Sequence, residues 1–183
     1  HDNTIKVWNV ATGACLQTLQ GHAQWVLSVC VSADGSRLFS GSHDNTIKVW
    51  NVATGACLQT PQGHASAVVS VCVSADGSRL FSGSRDNTIK VWDVATGACL
   101  QTLQGHADAV YSVCVSADGS RLFSGSGENS IKVWNIPVSQ VSSSSSSMSS
   151  ASAAALSSEV PDELRCPIGY ELFKDPVLAG DGF

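Results

Sequence analysis

Histidine, serine and an acid recur together in this chain at a fixed spacing. They stand first as His22, Ser40 and Asp44, next as His64, Ser82 and Asp86, and last as His106, Ser124 and Glu128. These are the residue types of a nucleophilic relay, in which an acid orients a histidine and the histidine activates a serine. Such chemistry needs one activated hydroxyl and an oxyanion hole in a single cleft. Three near-identical sets read instead as a structural device, built once per unit. Cysteine is the other reactive type, and six of the seven form two series, Cys15/Cys57/Cys99 and Cys30/Cys72/Cys114. No Cys-x-x-Cys pair occurs, so zinc spacing is missing and no metal or cofactor is expected. Each cysteine sits in a strand-like run, where a free thiol behaves as a small buried hydrophobe. Reduced thiols fit an intracellular protein, cytoplasmic with the nucleus as the alternative.

The elements that must position these residues repeat with a period of 42. Asp2-Asn3-Thr4-Ile5-Lys6-Val7-Trp8 returns as Asp44 to Trp50 and as Asp86 to Trp92, and Glu128 to Trp134 is a slightly altered copy. That period suits four-stranded propeller blades and is too long for helical repeats near 34. Each unit parses into strands. Trp25 to Val31 is one run, closed by Ala33-Asp34-Gly35-Ser36. Arg37 to Ser42 is a second, and Thr46 to Val52 a third, with Ile47, Val49 and Asn51 on one face and Lys48, Trp50 and Val52 on the other. Thr54-Gly55 turns the chain into Ala56 to Thr60. β-Branched runs broken by Asp-Gly, Asp-Asn and Thr-Gly predict antiparallel strands with short hairpins. Pro61 replaces Leu19 and Leu103 of the other copies, which suits an outermost strand.

Composition narrows the function. Charged residues are 14% of the chain and the net charge is −5. No basic run is present, so a nucleic-acid partner is not expected. No apolar stretch is long enough for a membrane span. The chain opens on His1, its one methionine is Met148, and no secretory signal is visible, so both ends are expected to be truncations.

The Gly-His dipeptides (Gly21-His22, Gly63-His64, Gly105-His106) and the closing tryptophans resemble the WD-repeat β-propeller family over residues 1–136. The closing dipeptide is Trp-Asp only at Trp92-Asp93. The resemblance implies an all-β fold of propeller blades forming a partial ring. Two blades would be complete, preceded by a half blade and followed by one lacking its outer strand. It also implies structural tetrads: His22, Ser40, Asp44 and Trp50; His64, Ser82, Asp86 and Trp92; His106, Ser124, Glu128 and Trp134. Each of their hydrogen bonds would contribute about 1 kcal/mol net. Glu128 is one methylene longer, so the last tetrad is expected to be looser.

Repeats this alike make their differences readable. Residues 2–43 and 44–85 differ only at Leu19/Pro61, Gln24/Ser66, Trp25/Ala67, Leu27/Val69 and His43/Arg85. The third copy adds Asp108, Ala109, Tyr111 and Gly127. By resemblance, the positions after the Gly-His dipeptide and before the turn acid lie on the top face of a propeller. Trp25, Leu27 and His43, then Ala67, Val69 and Arg85, then Ala109, Tyr111 and Gly127 are therefore read as a surface for a substrate protein. Varied side chains on a rigid frame suit recognition, and Trp, Tyr and Arg dominate binding hot spots.

Residues 137–158 change character, with twelve serines in 139–158. Such a stretch cannot bury enough apolar surface to offset its ordering entropy and reads as a flexible tether. Residues 159–183 contain Cys166-Pro167-Ile168, Glu171-Leu172, Asp175-Pro176-Val177 and Gly180-Asp181-Gly182. In that order and spacing they resemble the start of a U-box, a small α+β domain that needs no zinc. The resemblance implies docking of a ubiquitin-conjugating enzyme, with Ile168 and Tyr170 as contacts and no catalytic residue. The implied parent is a U-box ubiquitin-protein ligase acting without a covalent intermediate, its propeller selecting the substrate. The 183 residues alone are expected to be inactive, and the alternative is a scaffold with no transfer activity.

Overall fold

The computed structural model describes residues 2–136. The Ser-rich stretch and the U-box-like residues, Ile168 and Tyr170 among them, lie outside the described residues.

Every regular element among the described residues is a strand. A short pair, β1 (Ile5–Trp8) and β2 (Cys15–Leu19), comes first. A four-stranded sheet follows, β3 (Val26–Val31), β4 (Arg37–Ser42), β5 (Ile47–Asn51) and β6 (Cys57–Gln59). A second holds β7 (Val68–Val73), β8 (Arg79–Ser84), β9 (Ile89–Asp93) and β10 (Cys99–Leu103). The last has three strands, β11 (Val110–Val115), β12 (Arg121–Ser126) and β13 (Ile131–Asn135). In each sheet the strands are antiparallel and neighbours in sequence are neighbours in space.

Local chemistry sets the hairpins. Asn45 and Asn87 adopt φ of 68° and 67°, a left-handed conformation that asparagine tolerates better than most residues. Beside them Asp44 Oδ1 accepts the Thr46 N–H at 2.9 Å, which closes the turn between β4 and β5. The longer turn after β5 is closed by Gly55 N–H donating to Asn51 O at 2.8 Å. Pro61 shows its cost here. Its carbonyl still accepts from Ile47 N–H at 3.1 Å, but it offers no N–H in return. β6 accordingly ends at Gln59, whereas β2 and β10 run five residues.

The core lies between sheets. Phe39, Ile47 and Val49 of one sheet pack on Val68 and Val71 of the next. Phe81, Ile89 and Val91 pack in the same way on Val110 and Val113. Both faces of an inner sheet are thus covered. The two faces read for Thr46 to Val52 are both packed: Ile47 and Val49 lie in one core cluster, and Trp50 lies in another with Ile5 and Leu19. The cysteines need a correction. Cys15, Cys57 and Cys99 are exposed on outer strands, and Cys114 is exposed as well. Cys30 and Cys72 are partly buried, and burial pushes their thiols up to about 12, so they carry no thiolate at neutral pH.

Candidate functional site

The recurring histidine, serine and acid do meet. His22 Nδ1 lies 2.9 Å from Asp44 Oδ2, and its Nε2 lies 2.7 Å from Ser40 Oγ. Trp50 Nε1 donates to the same hydroxyl at 2.9 Å. The second set repeats this, with 2.8 Å to Asp86, 2.7 Å to Ser82 and 2.8 Å from the Trp92 indole. A carboxylate only accepts, so Nδ1 carries the proton of a neutral imidazole and Nε2 accepts from serine. The polarity therefore runs from indole to hydroxyl to imidazole to carboxylate.

A hydrolase relay has the same polarity from serine onward, so only the surroundings separate the two. Ser40 and Ser82 are completely buried, and an indole N–H occupies the face of the oxygen that would attack. No substrate reaches such a hydroxyl. Burial lowers the pKa of His22 and His64 despite the acid beside each. Burial alone would raise Asp44, but hydrogen bonds from Thr46, His22 and Ala23 outweigh it and hold the carboxyl at about 2. Asp86 is held at about 2 in the same way, with Thr88, His64 and Ala65 as donors. The relay ties β4, β5 and the segment before β3 into one rigid unit. Gly21 belongs to that closure, because a Cβ there would stand 3.1 Å from the Trp50 ring, and its φ of 157° disfavours other residues.

The third set closes as well. His106 lies 2.6 Å from Glu128 Oε1 and 2.7 Å from Ser124 Oγ, and the Trp134 indole donates to Ser124 at 2.8 Å. The expected loosening is confined to the turn. Glu128 takes the Ser130 hydroxyl at 2.6 Å, but among the described residues it takes no backbone N–H from Ser130 of the kind Asp44 takes from Thr46. The Lys132 ammonium lies 3.2 Å from Glu128 as well. Hydrogen bonding from Ser130, His106 and Ala107 pulls its pKa below the usual carboxylate range.

The positions that vary between repeats sit at one edge of this frame. His43 N–H donates to Trp25 O at 2.8 Å, Arg85 N–H to Ala67 O at 3.0 Å, and Gly127 N–H to Ala109 O at 3.0 Å. The two variable places of each unit, eighteen residues apart, are therefore backbone partners. Their side chains also fit each other. The Trp25 and His43 rings lie 5.9 Å apart, and His43 Nδ1 contacts Gln24 Oε1 at 2.7 Å. In the third unit a Cβ on Gly127 would meet Asp108 at 2.6 Å and Tyr111 at 3.2 Å, so the missing side chain makes room for those two.

Exposure divides the nine rim positions. Trp25, Leu27, Arg85, Tyr111 and Gly127 are exposed, and His43 and Val69 are partly so. Ala67 and Ala109 are buried, which corrects their assignment to the contact surface. Sequence reasoning missed one feature. Pairing in β3, β7 and β11 slips across Val26/Ser28, Val68/Ser70 and Val110/Ser112. Leu27, Val69 and Tyr111 are thus β-bulge residues, outside the ladder and re-aimed by it. Their variability inside an otherwise constant strand was the available signal.

Consecutive four-stranded antiparallel sheets, each closed by an indole–serine–histidine–acid chain, define propeller blades. The chain belongs to the WD-repeat family: the family described as WD domain, G-beta repeat matches residues 13–51, 55–93 and 97–135. That match does not extend to residues 160–183. Among curated proteins the chain is similar to nuclear distribution protein PAC1-2 of Uncinocarpus reesii, 51% identical over 39 residues, 21% of this chain and 8% of that protein. It is also similar to nuclear distribution protein PAC1 of Coccidioides posadasii, 52% identical over 40 residues, 22% of this chain and 8% of the relative. Nuclear distribution protein nudF 1 of Talaromyces marneffei is 50% identical over 34 residues, 19% and 7% of the two chains. The similarity spans under a tenth of those relatives, about the length of one repeat.

Proposed function

We propose that this chain is a protein-binding scaffold whose contact surface is the rim holding Trp25, His43, Arg85 and Tyr111. One observation carries the reading. Residue changes between repeats collect where backbone hydrogen bonds bring two loops together, while the frame beneath stays the same. A rigid frame with a changing rim suits recognition of a shaped protein surface. The relatives share the repeat over too little of their length for their named role in nuclear distribution to be carried to this chain. Replacing Trp25, Arg85 and Tyr111 together by alanine in the full chain, and comparing the proteins captured from cells, tests the proposal. Loss of a partner with an unchanged melting profile is expected, and unchanged capture ends the rim reading.

A second reading rests on the spelling of residues 160–183. If the U-box resemblance describes a working domain, the tether lets a docked ubiquitin-conjugating enzyme search a protein held on the rim, by raising effective concentration. Ile168 and Tyr170 carry the enzyme contact in that reading, and the parent protein is a ubiquitin ligase of the cytoplasm. An Ile168→Ala change in a chain with a complete U-box is then expected to abolish autoubiquitination and leave partner capture intact. Capture and autoubiquitination lost together would sink that division of labour.

A further inference from the structure

Each unit of the rim brings two variable places together, and in two of the three units the side chains there are satisfied within the unit. In the first, the His43 ring lies 5.9 Å from that of Trp25, and His43 Nδ1 meets Gln24 Oε1 at 2.7 Å. In the third, the residue before the turn acid is Gly127, and the space a side chain would need is taken by Asp108 and Tyr111. Asp108 in turn accepts the Ala109 N–H at 2.6 Å. His43 and Asp108 are thus both bonded within their own repeats.

The middle unit is different. Gln24 and Trp25 are replaced there by Ser66 and Ala67, and His43 by Arg85. Arg85 keeps the backbone bond, its N–H donating to Ala67 O at 3.0 Å. Its guanidinium is exposed and makes no hydrogen bond, ion pair or ring contact among the described residues. The two short neighbours explain this. A serine and a buried alanine cannot reach a head group at the end of a long side chain. The same set of substitutions therefore removes the partner and puts a larger donor in its place. Sheets flank this unit on both sides, β3 to β6 before it and β11 to β13 after it, and neither supplies a partner. Val69, the bulge residue of β7, is partly exposed beside the pair Val68↔Ser84, one position from Arg85. The cation shares its edge of the sheet with a small aliphatic residue.

We infer that Arg85 receives a carboxylate from the protein held on the rim, an aspartate or glutamate side chain of an acidic segment. The inference rests on the rim being the contact surface, and it adds what that surface selects. A guanidinium presents a planar fork that a carboxylate fills with two parallel hydrogen bonds. Charge favours a carboxylate over a phosphate. Phosphate groups are held by clusters of arginine. Here one cation stands among acids, with Asp86 directly after it, Asp108 on the next unit and a net charge of −5 on the whole chain. One guanidinium neutralises a singly charged group, whereas a phosphate dianion leaves charge facing those acids. A pair at the rim, in contact with water, contributes more to the choice of partner and the rate of encounter than to tightness.

A display library of random short peptides, panned in parallel on the full 183-residue chain and on its Arg85→Glu variant, tests this. Peptides retained by the parent should be rich in Asp and Glu, and those retained by the variant should not. Arg85→Gln takes its place if that variant fails to fold. One acidic peptide is then synthesised with its acid and with Gln instead. Arg85→Gln or the peptide change alone should weaken binding by about three- to tenfold, and both together by no more than either alone. The loss should shrink as salt is raised. Losses that multiply mean that the two groups do not meet, and they overturn the inference. So does a parent pool that is empty or lacks acidic enrichment, or tighter binding when phosphoserine replaces the acid. Peptides that need Trp25 or Tyr111 but not Arg85 remove the carboxylate and leave the rim reading standing. Peptides that still bind after all three are replaced by alanine sink the rim reading itself.

Discussion

The second and third full repeats carry almost the same residues, yet they sit in different surroundings. Ile89 is wholly buried between two sheets, whereas Ile131, its copy, is 77% exposed; Phe81 and Phe123 differ in the same sense. Inside each sheet the two repeats scarcely differ, since both close the indole–serine–histidine chain at similar distances. Two kinds of stability are therefore separable. The hydrogen-bonded frame belongs to one repeat and recurs with it. The apolar burial belongs to a pair of neighbours and stops where the stack of described blades stops, as expected of a quasi-one-dimensional array.

The sharpest test of that contrast is a pair of truncations. Phe81→Ala should cost about 3–5 kcal/mol in urea unfolding, as for a filled core site. Phe123→Ala, measured on the single chain at low concentration, should cost under about 1 kcal/mol. Equal costs would mean that the open face is covered in solution.

Next in size is the shared hydroxyl. Ser82→Ala leaves the Trp92 indole N–H and His64 Nε2 without their partner in a buried site, for roughly 2–3 kcal/mol. Ser124→Ala should cost about half as much, because Trp134 is only partly buried and water can reach its N–H. A larger loss at Ser124 would break the comparison.

Acid should find the inner frames in two steps. His22 and His64 are held neutral by burial, so the folded state binds protons less readily than the unfolded chain. Their contribution is complete above the ordinary histidine value of 6.5 and falls as the pH drops below it. Asp44 and Asp86 are depressed from 3.8 to about 2, so a further loss spans that interval. Denaturant midpoints measured from pH 8 to pH 2 would show both, and a flat profile between pH 7 and pH 5 would remove the histidine step.

The smallest effect is on the edge of the first complete blade. Pro61→Leu restores the N–H that Leu19 and Leu103 have, so β6 should lengthen and the thermal midpoint should rise by an amount worth under about 1 kcal/mol. No change would mean that the short strand has another cause.

Much of the site was legible before any coordinates. The frame could be read because Asp44, Ser40, His22 and Trp50 all fall within one repeat, so their bonds recur wherever the repeat does. The rim could be read in outline because only a few residues change. Its details could not. Ala67 and Ala109 lie at varied positions yet are buried, and nothing in an alanine says which side of a bulge it occupies. The cysteines misled for a related reason. An alternating strand suggests burial, but Cys15, Cys57 and Cys99 lie on outer strands at the periphery of each sheet.

From the sequence alone follow the period of 42, the strand and turn chemistry, and the residues of each closing hydrogen-bond chain, because these depend on contacts within one unit. The tertiary structure alone decides which copy of a residue is buried, which rim positions face outward, and that Gly41 and Gly83 are packed by the valine of the following sheet while no described residue approaches Gly125. The physical reason is that hydrogen bonds are satisfied by specific partners encoded nearby, whereas burial depends on what packs against the sheet, and identical letters carry no record of their neighbours.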